Sequence, residues 1–123
     1  MNSFPKESRL LNSDDFNYLR KGAMCLNTPY LRFYFKDSKF DSSRSRLGLS
    51  VSRKAGNAVR RNFIKRFLRE HFRKSGWVNL GDDILVVASP RLKALPRDRK
   101  ELHDTLLKSW ELGIKKRMVV NDK

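Results

Sequence analysis

Residues 57–74 constrain the fold most strongly, because drawn as a helix they separate into an apolar arc and an opposed basic arc. Gly56-Asn57 before them and Ser75-Gly76 after them are typical helix boundaries. The expected buried arc consists of Val59, Phe63, Ile64, Phe67 and Leu68. The basic arc, which spans roughly 140°, consists of Arg61, Asn62, Lys65, Arg66, Arg69 and Arg73. Such a helix must pack its apolar arc against another layer of the protein, and its cations stay exposed on the opposite side.

Three segments have the composition of strands and could supply that layer. Residues 30–36 alternate, which predicts Leu31, Phe33 and Phe35 in the core and Tyr30, Arg32 and Tyr34 on the opposite face. Residues 47–52 alternate as well, with Leu47, Leu49 and Val51 inward and Gly48, Ser50 and Ser52 outward. Residues 84–88 are apolar on both faces, as in a central strand.

Two further helices are predicted at the ends of the chain. Ser13 is a suitable N-cap for a short helix over residues 14–20, which carries Phe16. After Pro96 and Asp98, a last helix presents a narrow stripe of Leu102, Leu106, Trp110, Gly113 and Ile114, and residues 115–123 are expected to be a frayed basic tail. The sequence therefore predicts one α+β domain over residues 1–123, with the order α-β-β-α-β-α and helices packed on a small mixed sheet.

The charge balance points to a polyanionic partner. The chain carries 28 Lys and Arg against 13 Asp and Glu, a formal net charge of +15, and such a surplus opposes compact folding unless a partner neutralises it. An anionic membrane surface is the rival to nucleic acid, and it calls for a basic amphipathic helix that exposes large apolar residues on its other face. The longest apolar run, 84–88, is far shorter than the roughly 20 residues of a membrane span. A single cysteine, Cys25, fits a reducing cytoplasm.

No catalytic set stands out among the residues. Cys25 has no evident activator, neither histidine has a clear acid or base partner, and Asp14-Asp15 and Asp82-Asp83 occupy positions that helix starts and turns prefer. The alternating face of Tyr30, Arg32 and Tyr34 is instead typical of a stacking platform for single-stranded nucleic acid. These features predict an RNA-binding protein or an accessory subunit.

Residues 47–70, LGLSVSRKAGNAVRRNFIKRFLRE, resemble the signature of the bacterial ribonuclease P protein subunit. The core of that signature corresponds to Arg61, Asn62, Lys65 and Arg66. The resemblance extends to Asp15-Phe16, to residues 84–88 and to Trp110, so it covers nearly the whole chain. It implies the ribosomal protein S5 domain 2-like fold, in which a left-handed βαβ crossover surrounds the basic helix, against the usual handedness.

The resemblance also implies an activity. The chain would be the accessory subunit of an RNA-based endoribonuclease that removes the 5′ leader of precursor tRNA, with hydrolysis carried out by the RNA and Mg²⁺ bound mainly by that RNA. The protein alone would be a monomer without catalytic activity. The residues expected to bind the RNA subunit are Arg53, Lys54, Asn57, Arg61, Asn62, Lys65, Arg66 and Arg69. The residues expected to form the leader cleft are Phe16, Tyr30, Arg32, Tyr34, Ser50 and Ser52.

Two positions depart from the family pattern. Phe63 stands where an arginine is usual, and we expect Arg60 to take over the missing charge. Arg20 stands where a second aromatic is common, which favours phosphate contact at that end of the cleft. Two other functions stay open at this point: a structural RNA-binding protein such as a ribosomal component, and a protein-only nuclease, which the lack of a carboxylate cluster or a histidine pair disfavours.

Overall fold

The computed structural model describes residues 22–37, 45–96 and 98–120. Strands β1, β2, β3 and β4 span Met24–Asn27, Leu31–Asp37, Arg46–Ser50 and Asp82–Ala88. Helices α1 and α2 span Ala58–Lys74 and Arg99–Val120, and short 3-10 helices span Arg53–Ala55, Gly76–Asn79 and Pro90–Ala94. The predicted helix over residues 14–20 lies outside the described residues.

The four strands form one mixed sheet in the order β1-β2-β4-β3. β1 and β4 each pair antiparallel with β2, whereas β3 pairs parallel with β4. A parallel pair needs a long crossover connection, and α1 is the main element of that connection. The α+β class, the mixed sheet and the interior position of the strand over 84–88 are therefore confirmed. The predicted element order is wrong in one respect, because β1 adds a third strand before α1. The handedness of the crossover stays a prediction.

The core lies between one face of the sheet and the two helices. Leu31, Phe33 and Phe35 all point into it, which confirms the alternation predicted for β2. The Phe33 ring is fully buried, with its centroid 5.6 Å from that of Trp77 and 5.8 Å from that of Trp110. A Cβ added at Gly113 would collide with this ring, so the glycine allows α2 to lie directly on β2.

Side-chain caps hold both ends of α1. The Asn57 side chain accepts a hydrogen bond from the Arg60 amide at 2.9 Å, and the Ser75 hydroxyl donates to the Phe72 carbonyl at 2.8 Å. The buried residues of the helix are Ile64, Phe67, Leu68 and Phe72. The expectation that Val59 is buried is wrong, since this side chain is 65% exposed. It lies roughly 140° around the helix from Ile64, on the solvent side.

The prediction of a frayed tail is wrong for residues 115–120, which continue α2. Arg117 is 5% exposed, and its Nε donates to Oδ2 of Asp82 at 2.6 Å. The indole Nε1 of Trp77 donates to the same oxygen at 2.8 Å, and the Arg117 guanidinium lies 4.9 Å from the centroid of the Phe35 ring. A buried, hydrogen-bonded ion pair therefore holds the end of α2 on the sheet.

The adjacent carboxylate is buried and paired as well. Both oxygens of Asp83 accept hydrogen bonds from Arg46, each at 2.9 Å, in a two-pronged pair between β4 and β3. Asp82 and Asp83 each pair with an arginine inside the fold, as a structural role requires, but they lie in β4 and not in the turn that the sequence predicts.

Replacing Arg117 with alanine should destabilise the protein by about 3–5 kcal/mol, because Asp82 would be left buried without its cation. Lys115→Ala removes an exposed cation from the same stretch of α2 and is the matched control. Urea unfolding followed by circular dichroism measures both variants. Equal unfolding midpoints for Arg117→Ala and Lys115→Ala would mean that the ion pair does not stabilise the fold.

Candidate nucleic-acid interface

The sheet face that points away from α1 and α2 is lined by side chains outside the main core, and at its centre the buried Leu85 packs with Ala23, Tyr34 and Val87 in a second, smaller cluster. We call it the open sheet face, and its residues are Cys25, Asn27, Arg32, Tyr34, Gly48, Ser50, Leu85 and Val87. In the strand register, Tyr34 lies between Cys25 and Leu85, and Val87 lies between Arg32 and Ser50. The predicted outward positions of Arg32, Tyr34 and Ser50 are confirmed.

Arg32 and Tyr34 are linked on this face. The Arg32 guanidinium donates to the Asn27 side-chain oxygen at 2.9 Å and to the Tyr34 hydroxyl at 3.3 Å. The hydrogen bond to Tyr34 is the main cause that raises the pKa of Arg32 above its ordinary value. The pair therefore presents a positioned cation beside a half-buried aromatic ring.

Tyr30 does not join them, so its predicted place on the same face is wrong. It precedes β2, and its side chain packs against the main core, where the Arg91 guanidinium lies 5.0 Å from the ring centroid. Its amide donates to the Ser109 hydroxyl at 3.3 Å. The residue sits in a bend rather than in the strand, so the strand alternation does not extend to it.

The carboxyl ends of β3 and β4 meet at one edge of the sheet because the two strands are parallel. Ser52 follows β3 and caps the 3-10 helix Arg53–Ala55 by accepting from the Lys54 amide at 3.3 Å. That helix contacts the 3-10 helix Pro90–Ala94, which follows β4. Exposed cations from both helices meet there, a group we call the basic sheet end: Arg53, Lys54, Arg91 and Lys93.

The sequence analysis missed the contribution of Arg91 and Lys93 to this cluster. Their only sequence signal is a pair of cations directly after Pro90, which ends the strand. The Arg91 guanidinium donates to the Pro29 carbonyl at 3.1 Å, so it is held at the end of the sheet next to Arg32. The basic sheet end thus connects the open sheet face with the start of α1.

Arg60 locks the start of α1 to the segment after β4. Its guanidinium donates to the carbonyls of Leu92, Leu95 and Pro96 at 2.5, 3.0 and 2.7 Å. The side chain crosses Gly56, where φ is +146° and an added Cβ would lie 2.6 Å from Cδ of Arg60. The expectation that Arg60 replaces the charge missing at position 63 is therefore wrong, because three of its five N–H donors bind carbonyls of the protein.

The outer surface of α1 carries the predicted cations, and we call it the basic face: Arg61, Asn62, Lys65, Arg66 and Arg69. Asn62, Arg66 and Arg69 are exposed, whereas Arg61 and Lys65 are half-buried. The only hydrogen bond of these side chains within the described part of the chain joins Nε of Arg61 to the Gly56 carbonyl at 3.3 Å. None of the four cations pairs with a described carboxylate. Within the described part of the chain, the positive charge of the basic face is therefore not neutralised.

Across residues 22–37, 45–96 and 98–120, no three side chains of His, Cys, Asp and Glu come together as a metal site would require. The two imidazoles belong to an aromatic cluster, in which His71 stacks on Phe67 at 3.9 Å between centroids and lies 6.1 Å from His103. Within the same ranges, no helix has the length and apolar character of a membrane span.

The fold and this surface define a small α+β protein with one strongly cationic helix face beside an open sheet. The family described as Ribonuclease P matches residues 4–112. The ribonuclease P protein component of Desulforapulum autotrophicum is 36% identical over 110 residues, which are 89% of this chain and 91% of that protein. Two solved structures are also similar, the ribonuclease P proteins of Staphylococcus aureus and Thermotoga maritima.

The Staphylococcus aureus structure has a TM-score of 0.71 and 30% identity, and the match covers 86% of this chain and 94% of that one. The Thermotoga maritima structure has a TM-score of 0.65 and 35% identity, with 81% and 92% covered. The chain belongs to the ribonuclease P protein family. It is thus a protein component of a nuclease that acts in the processing of the 5′ end of tRNA.

Proposed function

We propose that this chain binds the catalytic RNA of ribonuclease P through its basic face and the 5′ leader of precursor tRNA through its open sheet face. In this way it assists the Mg²⁺-dependent removal of the leader. The observation that carries the proposal is the set of unpaired cations on α1, which continues through the basic sheet end to Arg32 and Tyr34.

RNA phosphates are the partner that the basic face fits best. Each phosphate neutralised by an arginine or lysine releases condensed counterions, so a cluster of unpaired cations binds a polyanion strongly. Asn62 lies among these cations with its amide exposed, and such a group can hydrogen-bond a base edge or a 2′-hydroxyl. Asn57 caps α1, so we assign it to ordering the helix start as well as to RNA contact.

The leader is placed on the open sheet face because that surface combines a ring, a cation and small residues. Tyr34 offers a stacking surface and Arg32 a phosphate contact, and the neighbouring residues on β3, Gly48 and Ser50, are small. Ser52 and the basic sheet end continue this path toward α1. Phe16 belongs to the proposed cleft by resemblance alone and lies outside the described residues.

Mg²⁺ enters the proposal as a ligand of the RNA. The protein would contribute cations that screen phosphate repulsion and thereby lower the Mg²⁺ concentration at which RNA and substrate associate. The protein alone would be a cytoplasmic monomer without nuclease activity. Protein treated with micrococcal nuclease and freed of that nuclease should leave precursor tRNA intact, and cleavage by such a preparation would favour a protein-only nuclease.

Reconstitution with a bacterial ribonuclease P RNA at low Mg²⁺ tests the proposed activity. We expect the protein to restore cleavage of precursor tRNA under conditions in which the RNA alone is nearly inactive, because the protein's cations replace part of the Mg²⁺ screening. The rate of 5′-end formation is measured with and without protein. If the protein gives no stimulation at any Mg²⁺ concentration, the proposal is wrong.

Lys65→Ala should weaken binding to the RNA subunit and reduce the slope of log affinity against log salt by about 0.7–0.9, the value for one phosphate contact. Lys108→Ala removes an exposed lysine from α2 and should leave the slope unchanged. Filter binding over a salt series measures both variants. Equal slopes for the two variants would show that the basic face does not contact phosphate.

Tyr34→Ala should lower the affinity of the reconstituted enzyme for precursor tRNA with a long leader by about 5- to 100-fold, the range for loss of one stacked base. Affinity for a substrate with a one-nucleotide leader should not change, and Tyr34→Phe, which keeps the ring, should bind nearly as the parent does. An equal loss for both substrates would contradict the cleft. Affinity independent of leader length in the parent protein would favour a general structural RNA-binding role.

A further inference from the structure

A groove of about 630 Å³ lies beside the basic face, on the side of α1 opposite Arg61. Its walls are the first turns of α1 and of α2 and the segment that follows β4. The residues that line it are Gly56, Asn57, Val59, Arg60, Phe63, Lys93, Leu95, Pro96, Arg99 and Leu102. Asn57 and Lys93 at its edge belong to the RNA surface described above, whereas Val59, Phe63, Leu95 and Pro96 have no role in it.

The groove presents apolar surface where a solvated helix would carry polar side chains. Val59 is 65% exposed at its mouth, and Phe63 is only half-buried one turn further along α1. Leu95 and Pro96 form the facing wall. The aromatic ring of Phe63 therefore borders a space large enough for a flat group, in the usual range of about 300–1,000 Å³ for small-ligand pockets.

The hydrogen bonds of the Arg60 guanidinium hold the groove open. The three carbonyls that Arg60 bonds belong to the wall opposite α1, so the two walls are joined at a fixed separation. Gly56 permits this crossing, because any Cβ there would overlap the Arg60 side chain. A ligand would meet a preformed site and would not have to order it.

The positive charge at the rim of the groove favours a negatively charged ligand. Lys93 and Arg99 are exposed at the edges, and none of the lining residues is acidic. Neither cation pairs with a described carboxylate. The groove therefore combines an apolar, partly aromatic interior with cations outside, which complements an aromatic base flanked by phosphates.

We infer that the groove holds one unstacked nucleobase of the RNA bound by the basic face, with the flanking phosphates on Lys93 and Arg99. The inference rests on the proposed function, because it extends the same RNA surface past Asn62 to Phe63. We favour RNA over an acidic protein segment as the occupant of the groove. The reason is that Asn62 and Arg66 of the basic face lie within two helical turns of Val59, which stands at the mouth of the groove. An RNA strand on the basic face thus passes the groove.

Phe63→Leu tests the stacking wall. The leucine keeps apolar contact with the core but removes the ring, so affinity for the ribonuclease P RNA should fall by about five- to tenfold, the effect of losing one stacking contact. The slope against salt should not change, since no charge is lost. Phe67→Leu is the matched control, one turn further along α1, with a side chain buried in the core and outside the groove. Equal affinities for the two variants would overturn the inference.

Crosslinking gives a second test that does not depend on stability. A benzophenone amino acid at position 59 should crosslink, on irradiation, to one unpaired nucleotide of the RNA subunit, mapped by reverse transcription. The same group at position 119 is the control, because Val119 is equally exposed on α2, at 66%. Crosslinks only to protein, or no more RNA crosslinks than at position 119, would overturn the inference. A normal Lys65→Ala effect in that case would leave the proposed function standing.

Discussion

Arg60 is the residue on which the arrangement of the candidate RNA surface depends. One guanidinium joins the first turn of α1 to three carbonyls of the segment after β4. Backbone carbonyls left unpaired in a partly buried loop are costly, and an arginine satisfies several of them at once. The bond network fixes where the helix starts, and therefore which way its cations point. It also commits most of the donors of one arginine in the most basic segment to contacts within the protein.

The parallel pairing of β3 with β4 then brings separate parts of the sequence together. Both strands end at the same edge, so the turns after Ser50 and after Ala88 lie side by side. Cations that are about forty residues apart in sequence form one cluster at this edge. The open sheet face and the basic face of α1 meet at the basic sheet end, and a single RNA-protein complex can use all three.

The sequence analysis succeeds where one local pattern decides the outcome. The alternation in β2 and the caps of α1 predict buried faces and helix ends that the structure confirms. Prediction from the sequence fails where a contact with a residue far away in sequence decides the conformation. The pairing of Arg117 with Asp82 keeps the tail helical, and the core contact of Tyr30 takes it off the open face. Likewise, the position of Val59 depends on which part of a broad apolar arc the sheet covers. No sequence spacing encodes these long-range choices.

The central claim, that the leader of precursor tRNA lies on the open sheet face, can be tested through the only cysteine of the chain. Cys25 is exposed and pairs in register with Tyr34, so an iron chelate attached to its thiol stands directly beside the proposed leader path. Hydroxyl radicals generated there in the reconstituted enzyme should cut the 5′ leader, and a chelate on Val119→Cys in a Cys25→Ser background should not. Cuts confined to the RNA subunit or to the body of the tRNA, with the leader intact, would contradict the account.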